Sequence, residues 1–295
     1  MSALRWVGSK RRLAPLLVET LRPLLSAPGA RLIEPFFGSG AGSAALRESG
    51  WRGEAIAGDS CAPLICFHRA AQLDFCAQIY AVAQEHEPPP LAPLTVRRTH
   101  YERACGDMGL LAGEARRWAS DSAEFTDDET EAVMLAGAFW WLNWRCFNGL
   151  WRTNKAGEFN VAIGCGPRGS WTPLPGLDAL TAHRDLLQRT ALLCGDFAET
   201  ISHARPGDVI YADPPYVGTF TGYGGGFGGA EQARLASLLR EAHRRGVLVV
   251  ASNSDTEYTR ALYGWAKIQE VEIAYSVGGK KDRRNKSSEV LIVTQ

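Results

Sequence analysis

The sequence predicts an α/β protein, a doubly wound sheet interrupted by a long, mainly helical insertion. Three observations lead there. Short apolar runs ending at a glycine turn or an acidic residue occur before residue 60 and again after residue 190. Helical apolar spacing follows several of these runs. Between the two regions the pattern changes to longer helical stretches, a proline cluster and tryptophans, with no internal repeat.

Taken in order, residues 11–25 have helical spacing, with Pro23 near the end. Residues 31–34 are a short strand opening into glycines, and residues 41–49 an alanine-rich helix behind them. Residues 54–58 form the next strand, ending at Asp59. A helical pattern runs from Leu64 to Gln84, and Pro88, Pro89, Pro90 and Pro93 mark a connector. Thr126 and Glu129 have capping-box spacing and would start a helix through Phe139, Trp140, Trp141 and Trp144, whose rings are expected in its core. Residues 147–169, polar and punctuated by glycine, predict a loop or hairpin. Strands resume at 191–194 and at 208–212, the second running into Asp213. A glycine-rich loop at 222–229 then precedes a helix at 230–245, a strand at 246–252 and a terminal hairpin of 267–275 with 288–294. This organisation assigns 1–65 and 190–295 to one discontinuous catalytic domain and 66–189 to the insertion, which is long enough to fold as a unit.

Composition narrows the function classes. No uninterrupted apolar stretch is long enough for a membrane span, and the charged first residues lack the apolar run of a secretory signal. Seven scattered cysteines without a Cys-x-x-Cys pair argue against a disulfide framework or structural zinc, and no metal site is expected. A reducing, cytoplasmic setting follows. The formal net charge is zero, unlike many nucleic-acid-binding domains. Even so, basic residues gather at Lys10–Arg12 and again at Lys280, Lys281, Arg283, Arg284 and Lys286, leaving a face that phosphate could use.

Two segments carry chemistry. In Glu34-Pro35-Phe36-Phe37-Gly38-Ser39-Gly40, glycines between strand and helix allow close backbone approach of a ligand, beside the free N–H donors of a helix start. Alone this is also what a tight turn requires. Asp59, ending the next strand, is placed to accept from ribose hydroxyls, so a nucleoside-containing ligand is indicated; the dinucleotide spacing Gly-x-Gly-x-x-Gly is not met, which makes a nicotinamide cofactor the poorer choice. In Asp213-Pro214-Pro215-Tyr216, two prolines stiffen the turn and remove two backbone donors, leaving carbonyls and a carboxylate to accept from an amine and a ring to stack on it. A rigid surface turn is the plainer alternative.

These segments, with Arg5-Trp6-Val7-Gly8-Ser9-Lys10 and with Leu142–Arg152 continuing to Gly157–Asn160, occur in the order of the Dam-type (D12 class) adenine-N6 DNA methyltransferases, which the chain resembles over nearly its whole length. The resemblance implies a Rossmann-like S-adenosylmethionine-dependent fold with an inserted helical target-recognition domain. Trp6, Gly8 and Lys10, with Glu34, Pro35, Phe36, Gly38 and Gly40, would enclose S-adenosylmethionine. Asp59 would hold its ribose, Asp196 its adenine amine, and Phe197 would pack nearby. Asp213 and the Pro214 carbonyl would bind the target amine, within the stiff Pro214-Pro215 turn, while Tyr216 stacks on the base.

The same resemblance implies double-stranded DNA as partner and a flipped-out adenine. Arg5 and Arg152 would read guanine, Phe147 and Asn148 would fill the space near the flipped base, and Leu150 and Asn154 would also contact DNA, with a GATC-like site as the expectation. Lys280, Lys281, Arg283 and Arg284 are the candidate phosphate contacts. Cys61 stands where the family commonly has asparagine, and Phe147 where it more often has tyrosine. The absence of a Pro-Cys dipeptide excludes carbon-5 cytosine methylation. Cytosine-N4 methylation, an RNA or protein amine substrate and a non-catalytic DNA-binding role remain as alternatives. Oligomeric state is open, with a monomer as the simplest case. Orphan methylases, restriction partners and phage-encoded enzymes share these motifs.

Overall fold

The computed structural model describes residues 3–90, 92–112, 115–119, 129–154, 156–164, 171–216, 227–271 and 289–294. Seven strands, β1 (Leu32–Glu34), β2 (Ala55–Asp59), β3 (Thr190–Cys194), β4 (Val209–Ala212), β5 (Leu248–Ser254), β6 (Lys267–Val271) and β7 (Glu289–Val293), form one sheet in the order β3-β2-β1-β4-β5-β7-β6. The first five are parallel, and the β6–β7 pair is antiparallel, with β7 running against β5. Strand order reverses between β1 and β4. The crevice outside their carboxyl ends is therefore where such a sheet accepts a ligand.

Alternation along the central strands supplies two cores. Leu32, Val209, Tyr211 and Val250 face α1 (Ala14–Leu24) and α2 (Ala41–Glu48). Ile33, Ile210, Val249 and Ala251 face the other way, where residues of three later helices join their cluster. Because β1 and β4 are covered on both sides, their residues are buried without alternation, Glu34 of β1 included.

Between β2 and β3 lie α3 (Ala62–Gln72), α4 (Cys76–His86), α5 (Leu94–Ala112), α6 (Ala115–Trp118), α7 (Glu129–Arg145) and α8 (Leu177–Leu186). The helical pattern expected to run unbroken from Leu64 to Gln84 is two helices, separated where Asp74 takes a left-handed φ of 75°. Helices α5 and α8 were not anticipated. In α5 the buried positions Tyr101, Ala104 and Met108 are offset by exposed Leu94, Val96 and Leu110, so no apolar stripe marks it. Of the capping box, Thr126 lies outside the described residues. Phe139, Trp140 and Trp141 are fully buried, and α7 packs against α3, α4 and α5. This helical cluster is continuous with Ala57 of β2 and Leu192 of β3.

Helix α7 also secures the start of the chain. The Trp140 and Trp144 indoles both donate to the Ala3 carbonyl, at 2.7 and 2.8 Å. Buried Asn143 accepts from the Arg5 N–H at 2.8 Å and donates to its carbonyl at 2.6 Å, imitating a strand partner. Beyond α7 the chain turns back in a loose hairpin, bridged at Cys146–Ile163 and Thr153–Phe159. After β3 come α9 (Phe197–Ser202), α10 (Gly229–Arg244) and α11 (Glu257–Leu262), the helices that cover the second face. Among the described residues, no helix is long and apolar enough to cross a membrane.

Candidate active site

The turn after β1 is shaped by contacts a side chain would obstruct. Gly38 and Gly40 have φ of 50° and 69°. A Cβ on Gly38 would lie 2.8 Å from the Trp6 ring, and one on Gly40 2.7 Å from Phe37. Glycine is thus required both by conformation and by space. The Gly38 N–H donates to Asp59 Oδ2 and the Cys61 N–H to Oδ1, both at 2.9 Å. Burial pushes the Asp59 carboxyl up, and these backbone donors oppose it. With Ser60 as a further backbone donor, the carboxylate still keeps a lone pair for a hydroxyl. A carboxylate fixed at a strand end, a Cβ-free loop and the Trp6 ring fit a nucleoside-bearing cofactor. Gly8, at φ 82°, has open space around its Cβ position, so only its conformation demands glycine.

Beside this loop, Phe36 stacks on Phe197 at 5.3 Å, and Phe227 meets both rings edge-on. Asp196 caps α9 by accepting from the Ala198 N–H at 2.8 Å. It also accepts from Arg234 of α10 at 2.6 and 2.9 Å, a pairing that holds its carboxyl below the usual range. The Arg234 guanidinium lies 4.5 Å from the Phe197 ring centroid. The carboxylate expected at the adenine amine is thus engaged by an arginine, which no local motif signals.

At the end of β4, Asp213 Oδ1 accepts from Ser252 at 2.7 Å and pairs with Lys10 at 3.0 Å. Ser252 arrives there because Ala212 pairs with Ala251, so the next residue of each strand emerges side by side. Burial pushes the Asp213 carboxyl up, and the Lys10 charge opposes it. The Lys10 ammonium sits 4.5 Å from the Tyr216 ring centroid and donates to the Gly8 carbonyl at 3.1 Å. The Tyr216 hydroxyl donates to Glu289 at 3.0 Å. Gln232 donates to the Pro215 carbonyl at 2.7 Å and accepts from Asn253. Among the described residues no hydrogen bond ends on the Pro214 carbonyl. Lys10, expected beside the cofactor, thus lies against Asp213 and Tyr216, and the sequence reading assigned no role to Ser252, Gln232, Asn253 or Glu289.

Glu34 faces inward, 2% exposed, and accepts from the Ser43 hydroxyl. Burial pushes its carboxyl up to about 7 from 4.5. A folded-state pKa raised in this way contributes stability below about 4.5 that is lost as pH rises through about 7. His68, pushed down by burial to about 4 from 6.5, acts oppositely: its contribution is present above 6.5 and lost as pH falls through about 4. Glu34→Gln should therefore stabilise the protein by about 2 kcal/mol at pH 8 and by much less at pH 5. Thermal melts at the two pH values check this; an equal gain at both would refute it.

Phe147, Asn148, Leu150, Arg152 and Asn154, expected to face DNA, lie on the hairpin after α7. Phe147 is 53% exposed, and Asn148 and Gly149 both take left-handed φ, 55° and 67°. Leu150 closes the turn by donating to the Phe147 carbonyl at 3.1 Å. Arg152 is held by Asn160, through Nε to Oδ1 at 2.8 Å and a terminal nitrogen to the carbonyl at 2.9 Å. Asn154 uses its Oδ1 on the Ala156 and Glu158 N–H groups, shaping the turn itself. Arg5 lies over Trp144, at 5.7 Å from its centroid. Lys280, Lys281, Arg283 and Arg284 lie outside the described residues.

Comparison with known proteins puts this arrangement in context. The family described as D12 class N6 adenine-specific DNA methyltransferase matches residues 6–277. The chain belongs to this family. It is 34% identical to a DNA N-6-adenine-methyltransferase of Escherichia phage P1, over 98% of this chain but 35% of that protein, so it spans about a third of that relative's length. It is 30% identical to the Retron Ec67 DNA adenine methylase of Escherichia coli, over 99% of this chain and 90% of that protein. A DNA adenine methylase of Salmonella typhi is 28% identical over 99% of this chain and 94% of its own length.

Membership makes the fold a mixed α/β methyltransferase-like one with helical insertions. What Cys61 offers Asp59 is its backbone N–H, which any residue except proline would supply. Its thiol is pushed well up by burial, so it stays protonated.

Proposed function

We propose that the protein transfers a methyl group from S-adenosylmethionine to N6 of adenine in double-stranded DNA. The observation that carries this reading is the Asp213–Tyr216 turn, whose acceptors and ring stand at the sheet's switch point next to the glycine loop. S-adenosylmethionine supplies a methyl on a sulfonium leaving group, so alignment is most of what the protein must contribute. Lys10 and Ser252 both engage Asp213 Oδ1. Oδ2 would accept one amine hydrogen and the Pro214 carbonyl the other, aiming the nitrogen lone pair at the methyl. Tyr216, anchored through Glu289, would stack on a base extruded from the duplex. Trp6, Lys10, Gly38, Gly40 and Asp59 would hold the cofactor, the aromatic group around Phe36 and Phe197 flanking it.

Residues 66–189 serve, in this reading, as the target-recognition part, with Arg5 and Arg152 reading guanine in a GATC-like site. Asn160 presents the Arg152 guanidinium as a fixed fork. Arg152→Ala should then relax discrimination at one base pair by about 1–3 kcal/mol. Methylation rates on single-substituted duplexes measure it; an equal loss on every duplex would make Arg152 a phosphate contact.

The direct test of the reaction is methylation of a plasmid from a methylase-deficient host, read by single-molecule sequencing. N6-methyladenine confined to one short motif is the expected result. N4-methylcytosine in its place would overturn the adenine assignment. An unmodified plasmid, with cofactor binding confirmed separately, would move the substrate to RNA or protein.

A further inference from the structure

A pair of buried histidines outside the catalytic turn reaches the glycine loop. His68 of α3 is fully buried and His183 of α8 is 5% exposed. His68 Nε2 lies 2.8 Å from the Gly38 carbonyl oxygen, and His68 Nδ1 lies 2.9 Å from His183 Nε2. The carbonyl can only accept, so His68 carries its proton on Nε2. Its Nδ1 is then bare and must accept, which places the His183 proton on that ring's Nε2. The chain thus runs in one direction, from His183 through His68 to Gly38. Burial pushes both imidazoles below their ordinary value, in keeping with two neutral rings.

We infer that His68, oriented by His183, is a positioning residue for the cofactor. This rests on the proposed function, because it assumes that the glycine loop holds S-adenosylmethionine. The two peptide groups flanking Gly38 are fixed from opposite sides, one N–H on Asp59 and one C=O on His68. Gly38 is also the residue with the left-handed φ and the Trp6 ring against it. Without His68 the carbonyl would lose its buried donor, and the loop could rotate away from the geometry that ties it to Asp59. Packing alone does not call for histidine here. The neighbours Phe37 and Phe67, at ring distances of 5.0 and 5.6 Å, would accommodate an apolar ring, and buried imidazoles cost free energy unless their nitrogens are paired. Helices α3 and α8 are the first and last between β2 and β3, so the loop is held from both ends of that segment.

The test uses the full chain, with cofactor affinity measured by calorimetry and KM and kcat by steady-state kinetics. His68→Phe keeps a ring and removes both nitrogens. It should weaken S-adenosylmethionine binding about 5- to 30-fold, with the kinetic effect on the cofactor KM rather than on kcat. His68→Gln, which can place an amide donor near the same carbonyl, should recover most of the affinity. His183→Phe, which leaves the direct donor in place, should cost less than His68→Phe and covers the case in which His68→Phe does not fold. Unchanged affinity in His68→Phe, or in His183→Phe if only that variant folds, would overturn the positioning role, even with a lowered Tm. Failure of His68→Gln to improve on His68→Phe would overturn the donor assignment. A wild-type protein that binds no S-adenosylmethionine would overturn the cofactor reading and this role together; binding by wild type with no difference in the variants overturns this role alone.

Discussion

Asp213→Asn is expected to lower the rate of methyl transfer by about 10²–10³-fold or more, while cofactor affinity stays close to that of the wild type. The amide keeps the shape of the side chain and an oxygen for Ser252. It loses the charge, and one of its two acceptor positions becomes a donor where the proposed function puts the target amine. The transition state places developing positive charge on that nitrogen, so an acceptor is worth most there and little in the ground state. Lys10 complicates the readout. It is 9% exposed, and with Asp213 neutralised its remaining partners are the Gly8 carbonyl and the Tyr216 ring. Some loss of Tm is therefore expected as well. Single-turnover transfer of labelled methyl, alongside calorimetric binding, separates the effects. A fall in cofactor affinity as large as the fall in rate would place Asp213 on the cofactor side of the pocket.

The features legible in the sequence were those with local signatures. Apolar runs ending at Asp59 and Asp213 marked β2 and β4, because a strand buried on both faces and an acidic residue at its carboxyl end are both contiguous in sequence. What was not legible depends on pairing across the fold. Ser252 becomes a partner of Asp213 only through the β4–β5 register, and Glu289 reaches Tyr216 only because β7 is inserted antiparallel beside β5. Arg234 meets Asp196 across 38 residues, and His183 meets His68 across 115. The break at Asp74 was hidden for a different reason: apolar residues continue on both sides of it, and aspartate tolerates a left-handed conformation without the glycine that would have announced it. Helix α5 fails the periodicity test because its exposed face carries leucine and valine.

Gly149 tests how the hairpin after α7 and the N-terminal segment are joined, the two parts to which the proposed function gives DNA recognition and cofactor binding. The sequence offers this glycine only as part of Phe147-Asn148-Gly149-Leu150, but the structure supplies two independent reasons for it. Its φ is 67°, which costs alanine about 1–2 kcal/mol. A Cβ there would also stand 2.4 Å from the Arg5 carbonyl oxygen and 2.9 Å from its carbonyl carbon. These are backbone atoms held by Asn143, and they have no rotamer to give way. Gly149→Ala must therefore push the hairpin and residues 3–6 apart. Arg5 precedes Trp6, whose ring covers Gly38, so a shift made at the hairpin after α7 is delivered to the glycine loop. Displacement of about 1 Å at a reacting centre can cost 10²-fold in rate. Gly149→Ala is accordingly expected to lower kcat/KM by about 10²-fold, with cofactor affinity falling along with DNA affinity. Parallel titrations with S-adenosylmethionine and with a duplex decide the matter. Loss of DNA binding alone would mean that the hairpin moves independently of the N-terminal segment, and that the contact between Gly149 and Arg5 transmits nothing to the cofactor side.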